Sequence, residues 1–243
     1  RYRGRIWLCF RSCPDGHMVH PTASVVVLSS ADGRDWRREH SFRVEGRDTR
    51  DPHFLVLKGR LLVITGTWYC GATSPKRADY DVNLHLGYAC WTDDGAAWHG
   101  PTLLEGTFGH YVWRAAASGE KAFLCGRRKI GFEVLARGEP RTMESLLLES
   151  DDGLVWRKRA AFQEIAGDET AFVFDSLGTV TAIGRHGEGK EAQVIRAAAP
   201  YDAWERKSLA CPLGGPLIAR FGAWTLVGGR KTTPEQGPKT VLF

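Results

Sequence analysis

The chain has 243 residues, 43% hydrophobic and 25% charged, the balance of an ordinary soluble globular protein with a substantial core. No apolar run approaches the roughly 20 residues a helix needs to cross a bilayer, so no membrane partner is expected. The formal net charge of +5 suits an anionic ligand, but Lys and Arg are scattered and form no basic stripe, which argues against nucleic acid.

The chain opens at Arg1 and soon enters an apolar run, Arg5-Ile6-Trp7-Leu8-Cys9-Phe10-Arg11. It offers no signal peptide to read, so secreted, periplasmic and cytoplasmic locations all stay open. That first run has four counterparts, each a strand-like segment, most of them ending in Arg: Leu61 to Thr67, Ala122 to Arg127, Val180 to Arg185 and Trp224 to Arg230. Their closing positions, 11, 67, 127, 185 and 230, are separated by 56, 60, 58 and 45 residues. Such a period is that of a four-stranded propeller blade with generous loops.

A second recurring unit is Ser/Thr-x-Asp-Gly-x-x-Trp. It occurs at Ser30 to Trp36, Thr92 to Trp98 and Ser150 to Trp156, each time after an apolar run. In a tight turn the hydroxyl and carboxylate satisfy backbone groups, Gly takes the left-handed dihedral, and Trp starts the returning strand. A fourth turn, Pro200-Tyr201-Asp202-Ala203-Trp204, keeps only the Trp. Labelling the strands of a blade A to D, the five recurring segments are B strands and the Trp opens D. Short turns such as Lys58-Gly59 and Ser118-Gly119 join each B to an A strand before it. The expected fold is an all-β propeller of four-stranded antiparallel blades, a single domain over residues 1–243 with about four and a half to five blades visible. The first unit starts at its B strand and the last stops within its C strand, so the domain is expected to be incomplete at both ends.

Antiparallel connectivity places the start of A and the end of B at one rim and the Asp-Gly turns at the other. The first rim collects Arg11, Thr67, Arg127, Arg185 and Arg230 from the B ends, and Asp51, Tyr111, Glu169 and Gly214 from the A starts. It also carries the long connections Ser12 to Ala23, Cys70 to Leu84 and Lys129 to Thr142, as a scaffold does when it presents a site. Guanidinium groups stay charged and offer paired donors to a carboxylate or phosphate. Arg11, Arg127, Arg185 and Arg230 are therefore the candidate substrate-binding cations, Tyr111 and Trp113 candidate platforms for a sugar ring, and Glu169 and Asp51 candidate catalytic carboxylates. The same groups could instead pair with one another and close a channel structurally. Cys9, Cys13, Cys70, Cys90, Cys125 and Cys211 show no metal-ligand spacing and read as free thiols. Neither a metal nor a cofactor is expected.

The Asp-Gly turns resemble the Asp box of sialidases and related BNR-repeat propellers. The stretch from Glu169 to Arg185 is similar to the sialidase segment in which Glu opens one strand and Arg closes the next, and Arg50-Asp51-Pro52 with Phe10-Arg11 resembles bacterial exo-alpha-sialidase-like proteins. The resemblance implies a six-bladed ring when complete, with Arg185 and Arg230 in a triad that grips the substrate carboxylate and Glu169 assisting a Tyr nucleophile. That Tyr and the first triad Arg belong to parts of the family's ring that this chain lacks. Asp15 is a candidate for the family's acid/base Asp. The expected function is hydrolysis of an acidic glycan, with Arg185, Arg230 and Arg11 on the carboxylate and Glu169 and Asp51 moving protons. The alternatives are a non-catalytic carbohydrate-binding or interaction propeller, and a glycosidase in which carboxylates alone do the work. The oligomeric state is left open.

Overall fold

The computed structural model describes residues 1–14, 16–132, 142–233 and 237–243. Asp15 and most of the connection from Lys129 to Thr142 lie outside the described residues. The fold is an all-β propeller of antiparallel blades in which strand order follows the sequence. The chain divides into two compact units, Arg1–Ala122 with Ser150–Trp156, and Phe123–Glu149 with Arg157–Phe243.

The first unit begins with β1 (Ile6–Ser12), β2 (Ser24–Ser30) and β3 (Arg37–Phe42), a three-stranded sheet that starts at the expected B strand. β4 (Arg47–Leu57), β5 (Arg60–Tyr69), β6 (Leu86–Thr92) and β7 (His99–Leu103) form a complete blade, and β8 (Tyr111–Ser118) follows. β5 is buried from Leu61 to Thr67, which explains a near-continuous apolar run instead of alternation. β2 has one buried face, and its Val25 and Val27 pack with Phe42, Val63 and Cys90 against Trp7, Phe54 and Trp98.

In the second unit β9 (Lys121–Lys129), β10 (Met143–Ser150) and β11 (Arg157–Gln163) continue the chain, and the division between the units falls within the sheet of β8 to β11. β12 (Gly167–Phe174), β13 (Val180–His186), β14 (Gln193–Ala197) and β15 (Glu205–Ser208) make the next blade. The last sheet is β16 (Gly214–Phe221), β17 (Trp224–Thr233) and β18 (Gly237–Leu242). Ala171, Ile183, Ala192, Leu213 and Ile218 form the core between these two sheets.

The three Ser/Thr-x-Asp-Gly-x-x-Trp turns share one hydrogen-bond pattern. The hydroxyl of Ser30, Thr92 or Ser150 accepts from the Gly N–H at 2.8 Å and donates to the Asp carboxylate at 3.0 Å. That carboxylate in turn accepts from the next two backbone N–H groups at 2.8–3.1 Å. The backbone bonds hold Asp32 and Asp94 below the ordinary Asp range; at Asp152 burial opposes this and the N–H groups of Val155 and Leu154 prevail. In the fourth turn a tyrosine takes over: the Tyr201 hydroxyl donates to the Gly178 carbonyl at 3.0 Å and its ring packs on Phe123 and Phe174.

The third of these turns is built into the first unit through the backbone. Glu105 donates to the Leu154 carbonyl and Trp156 donates to the Glu105 carbonyl, both at 2.9 Å. Gly106, at φ +79°, lets the Trp156 carbonyl come so close that a Cβ there would meet it directly. Gly106→Ala is expected to cost about 2–4 kcal/mol through both the clash and the dihedral, read from the midpoint of urea unfolding; an unchanged midpoint would contradict this docking.

Candidate functional site

One structural device recurs where the A strands begin. In β4 the pairs Arg50 with Gly66 and His53 with Ile64 leave Asp51 and Pro52 opposite Thr65 alone. In β12 the pairs Gly167 with His186 and Thr170 with Gly184 leave Asp168 and Glu169 opposite Arg185. In β16 Gly215 and Pro216 face Gly229 in the same way. Each is a β-bulge, which bends the strand and re-aims the side chains at its extra residue.

In the first unit the bulge follows a buried ion cluster. Asp48 is fully buried and takes both Nε and Nη2 of Arg11 at 2.9 Å, Nε of Arg50 at 2.9 Å and the His20 N–H at 3.0 Å. The two guanidinium groups spend further donors on the carbonyls of Gly16, His17 and Met18. Arg11, a candidate for holding substrate, is thus engaged in tying the Ser12 to Ala23 connection to β4. Removing the charge at Asp48 would leave two buried cations unbalanced, so Asp48→Asn is expected to destabilise the protein by about 3–5 kcal/mol, measured by chemical denaturation at pH 7.

Asp51 sits at φ +48°, a conformation unusual for a residue with a side chain, and its carboxylate accepts a hydrogen bond from the Tyr111 hydroxyl. Tyr111 is buried, with its ring among those of His85 and Trp68. Trp113 is also buried. Arg114 lies 4.8 Å from its ring centre and His53 meets it edge-on, so the side chain serves packing more than it offers an open platform. Burial first, and then the Arg114 charge, push His53 well below the ordinary His range, which keeps it neutral. Thr67 does not end its strand, which runs on to Tyr69; it accepts from Arg47 Nε at 2.6 Å and donates to the Leu86 carbonyl.

In the second unit Arg127, Asp168, Glu169 and Arg185 form one network. Asp168 bridges Arg127 and Arg185, the latter at 3.3 Å, while Arg185 Nη1 binds Glu169 at 2.9 Å. The Gly215 N–H, from the next bulge, reaches the same Glu169 oxygen at 3.0 Å. Burial alone would raise the Glu169 carboxyl, but the charges of Arg127 and Arg185 outweigh it and hold the group below the usual carboxylate range. Beside this network is a cavity of about 230 Å³, lined by Arg185, His186, Lys190, Gly214 and Arg230 among others. Arg230 lies flat over Gly214, where a Cβ would come within 3.1 Å of its Nη2. Among the described residues Arg230 makes no ion pair.

Asp48, Arg50, Asp168 and Lys190 were not singled out by spacing. Asp168 and Glu169 both face Arg185 only because the bulge sets two residues against one, and no sequence rule locates that bulge. The six cysteines are free; burial pushes Cys9 and Cys90 up to about 12, with Arg114 partly opposing at Cys9, so neither is a thiolate near neutrality. Among the described residues no group of three or more His, Cys, Asp or Glu is arranged to hold a metal.

Since the folded-state Glu169 carboxyl lies below its unfolded value, its contribution to stability is present above the unfolded value and is lost as pH falls through the folded one. Glu169→Gln is expected to cost about 2 kcal/mol at pH 7 and to flatten the loss of stability on acidification below about pH 4.5. Urea unfolding of both proteins from pH 7 to pH 3 checks this. Parallel acid limbs would contradict it.

No protein-family model matches the chain, and a search of curated proteins finds no match. Solved structures do. The Trypanosoma rangeli sialidase in complex with 2,3-difluorosialic acid aligns with a TM-score of 0.71 at 13% identity over 100% of this chain and 45% of its own. The Fusarium graminearum α-L-arabinofuranosidase with an iminosugar inhibitor aligns at 0.69 and 12%, over 98% and 71%. A Bombyx mori GH32 β-fructofuranosidase aligns at 0.58 and 11%, over 99% and 57%. The chain spans under half the length of the sialidase it matches. At such identities the likeness is one of fold: the chain has the propeller fold that these glycoside hydrolases share.

Proposed function

We propose that this chain belongs to a sialidase-like glycoside hydrolase acting on an acidic glycan, with the second-unit arginines holding the substrate carboxylate. The observation that carries the reading is Arg230. It is an exposed guanidinium without a carboxylate partner among the described residues, beside Arg185 over a cavity of about 230 Å³. Cations left unbalanced over a concave surface attract an anion. Arg185 is already turned by Asp168 and Glu169, so a ligand carboxylate would meet a fixed donor on one side and Arg230 on the other.

Glu169, kept ionised, suits a base or a stabiliser of positive charge developing at the anomeric carbon, and is a poor proton donor. The Asp51 carboxylate, held by the Tyr111 hydroxyl in the first unit, is the separate candidate for proton work. The neighbours' substrates, sialic acid among them, favour a glycan ligand by analogy of fold. One observation favours the non-catalytic alternative: Glu169 Oε2 is engaged by both Arg185 and the Gly215 N–H, as a structural carboxylate oxygen would be.

Turnover of aryl glycosides of sialic acid and of a uronic acid by the complete protein separates the two readings. Arg230→Ala is expected to raise KM about tenfold or more with a smaller change in kcat, while Glu169→Gln and Asp51→Asn, each tested alone, lower kcat. No turnover of either substrate, with binding of the corresponding methyl glycosides retained, would overturn the enzymatic reading in favour of the binding one.

A further inference from the structure

The cavity at Arg185 and Arg230 does not stand alone. Lys190 also lines a second, more open cavity of about 420 Å³, whose other walls include Arg206, Lys207, Gln193 and Ser208. Cationic side chains therefore run from Arg230 through Lys190 to Lys207 within the second unit. One carboxylate, Glu191, lines the second cavity, and it accepts a hydrogen bond from the Ser208 hydroxyl.

The cations along this run are held to different degrees. Arg206 is fixed by the Phe162 and Ala161 carbonyls at 2.9 and 3.2 Å and reaches Glu164 at 3.3 Å. Lys190 and Lys207 pair with Glu188 and Glu205, two residues away in sequence, with all four side chains more than half exposed. Pairs so exposed add little to stability and exchange easily for another anion. Gln193 and Ser208, paired across β14 and β15, set polar groups between the cations.

We infer that the second cavity is a subsite for a further acidic group on the same glycan, so that the preferred ligand is a polyanionic oligosaccharide with carboxylates on successive sugar units. This rests on the reading of Arg230 and Arg185 as the carboxylate site and extends it by naming the substrate class. The chemistry is simple. A chain with one carboxylate seated at Arg230 carries its next acidic group toward Lys190 and Lys207, where a neutral sugar would gain nothing comparable.

Calorimetric titration of the complete protein tests this with two matched pairs of probes: methyl sialoside against the α2,8-linked disialyl methyl glycoside, and methyl glucuronide against a hyaluronan tetrasaccharide. In at least one pair the doubly charged ligand is expected to bind about five- to tenfold more tightly, with the advantage shrinking as NaCl is raised. Lys207→Ala is expected to remove most of that advantage and leave the singly charged probe unaffected, whereas Arg230→Ala weakens both. Equal affinities within both pairs, or an advantage untouched by Lys207→Ala, would overturn the subsite and leave the carboxylate site standing. Failure of every probe to bind would overturn both.

Discussion

The bulge that interrupts the A strands is the constraint on which each candidate site depends. A regular strand alternates its side chains, so Asp168 and Glu169 would point to opposite faces and only one could meet Arg185. Setting two residues against one removes that alternation and brings both carboxylates to the same guanidinium. In β4 the same device holds Asp51 at φ +48°, where its carboxylate meets Tyr111. The backbone irregularity thus supplies the chemistry that a regular strand would withhold.

Electrostatic balance then separates the arginines by use. Arg11 and Arg50 share the buried Asp48 and are consumed in fixing a loop to the inner strand. Arg127 and Arg185 divide Asp168 and Glu169 between them. Arg230 pairs with Gly214, one residue beyond Gly229, which faces the bulge of Gly215 and Pro216, and that bulge contributes no carboxylate. Of the arginines near the B-strand ends, Arg11 is therefore spent on a buried carboxylate, Arg127 and Arg185 share two more, and Arg230 makes no ion pair among the described residues.

The three similar enzymes share this fold at 11 to 13% identity while acting on different sugars. A shared fold therefore leaves the sugar unspecified. The basic run from Arg230 through Lys190 to Lys207 is a property of this chain's residues and not of the fold.

The strand limits were not legible, since β4 begins at Arg47, before Asp51, and β5 runs to Tyr69, past Thr67; what the sequence by itself determined was the blade repeat and the turns. These rest on short-range physics: the bonds of each Asp-Gly turn close within a few residues of one another, so the motif is complete wherever it is read. It also placed Arg185 and Glu169, 16 residues apart, on facing positions of one hairpin, where the structure pairs them. Only the tertiary structure decided which other cations are spent. Arg11 meets Asp48 across 37 residues, Arg127 meets Asp168 across 41, and Tyr111 meets Asp51 across 60. Such partners are selected by packing and by the bulges, neither of which leaves a periodic mark on the chain, and so the role of each arginine could be read only once its neighbours were in place.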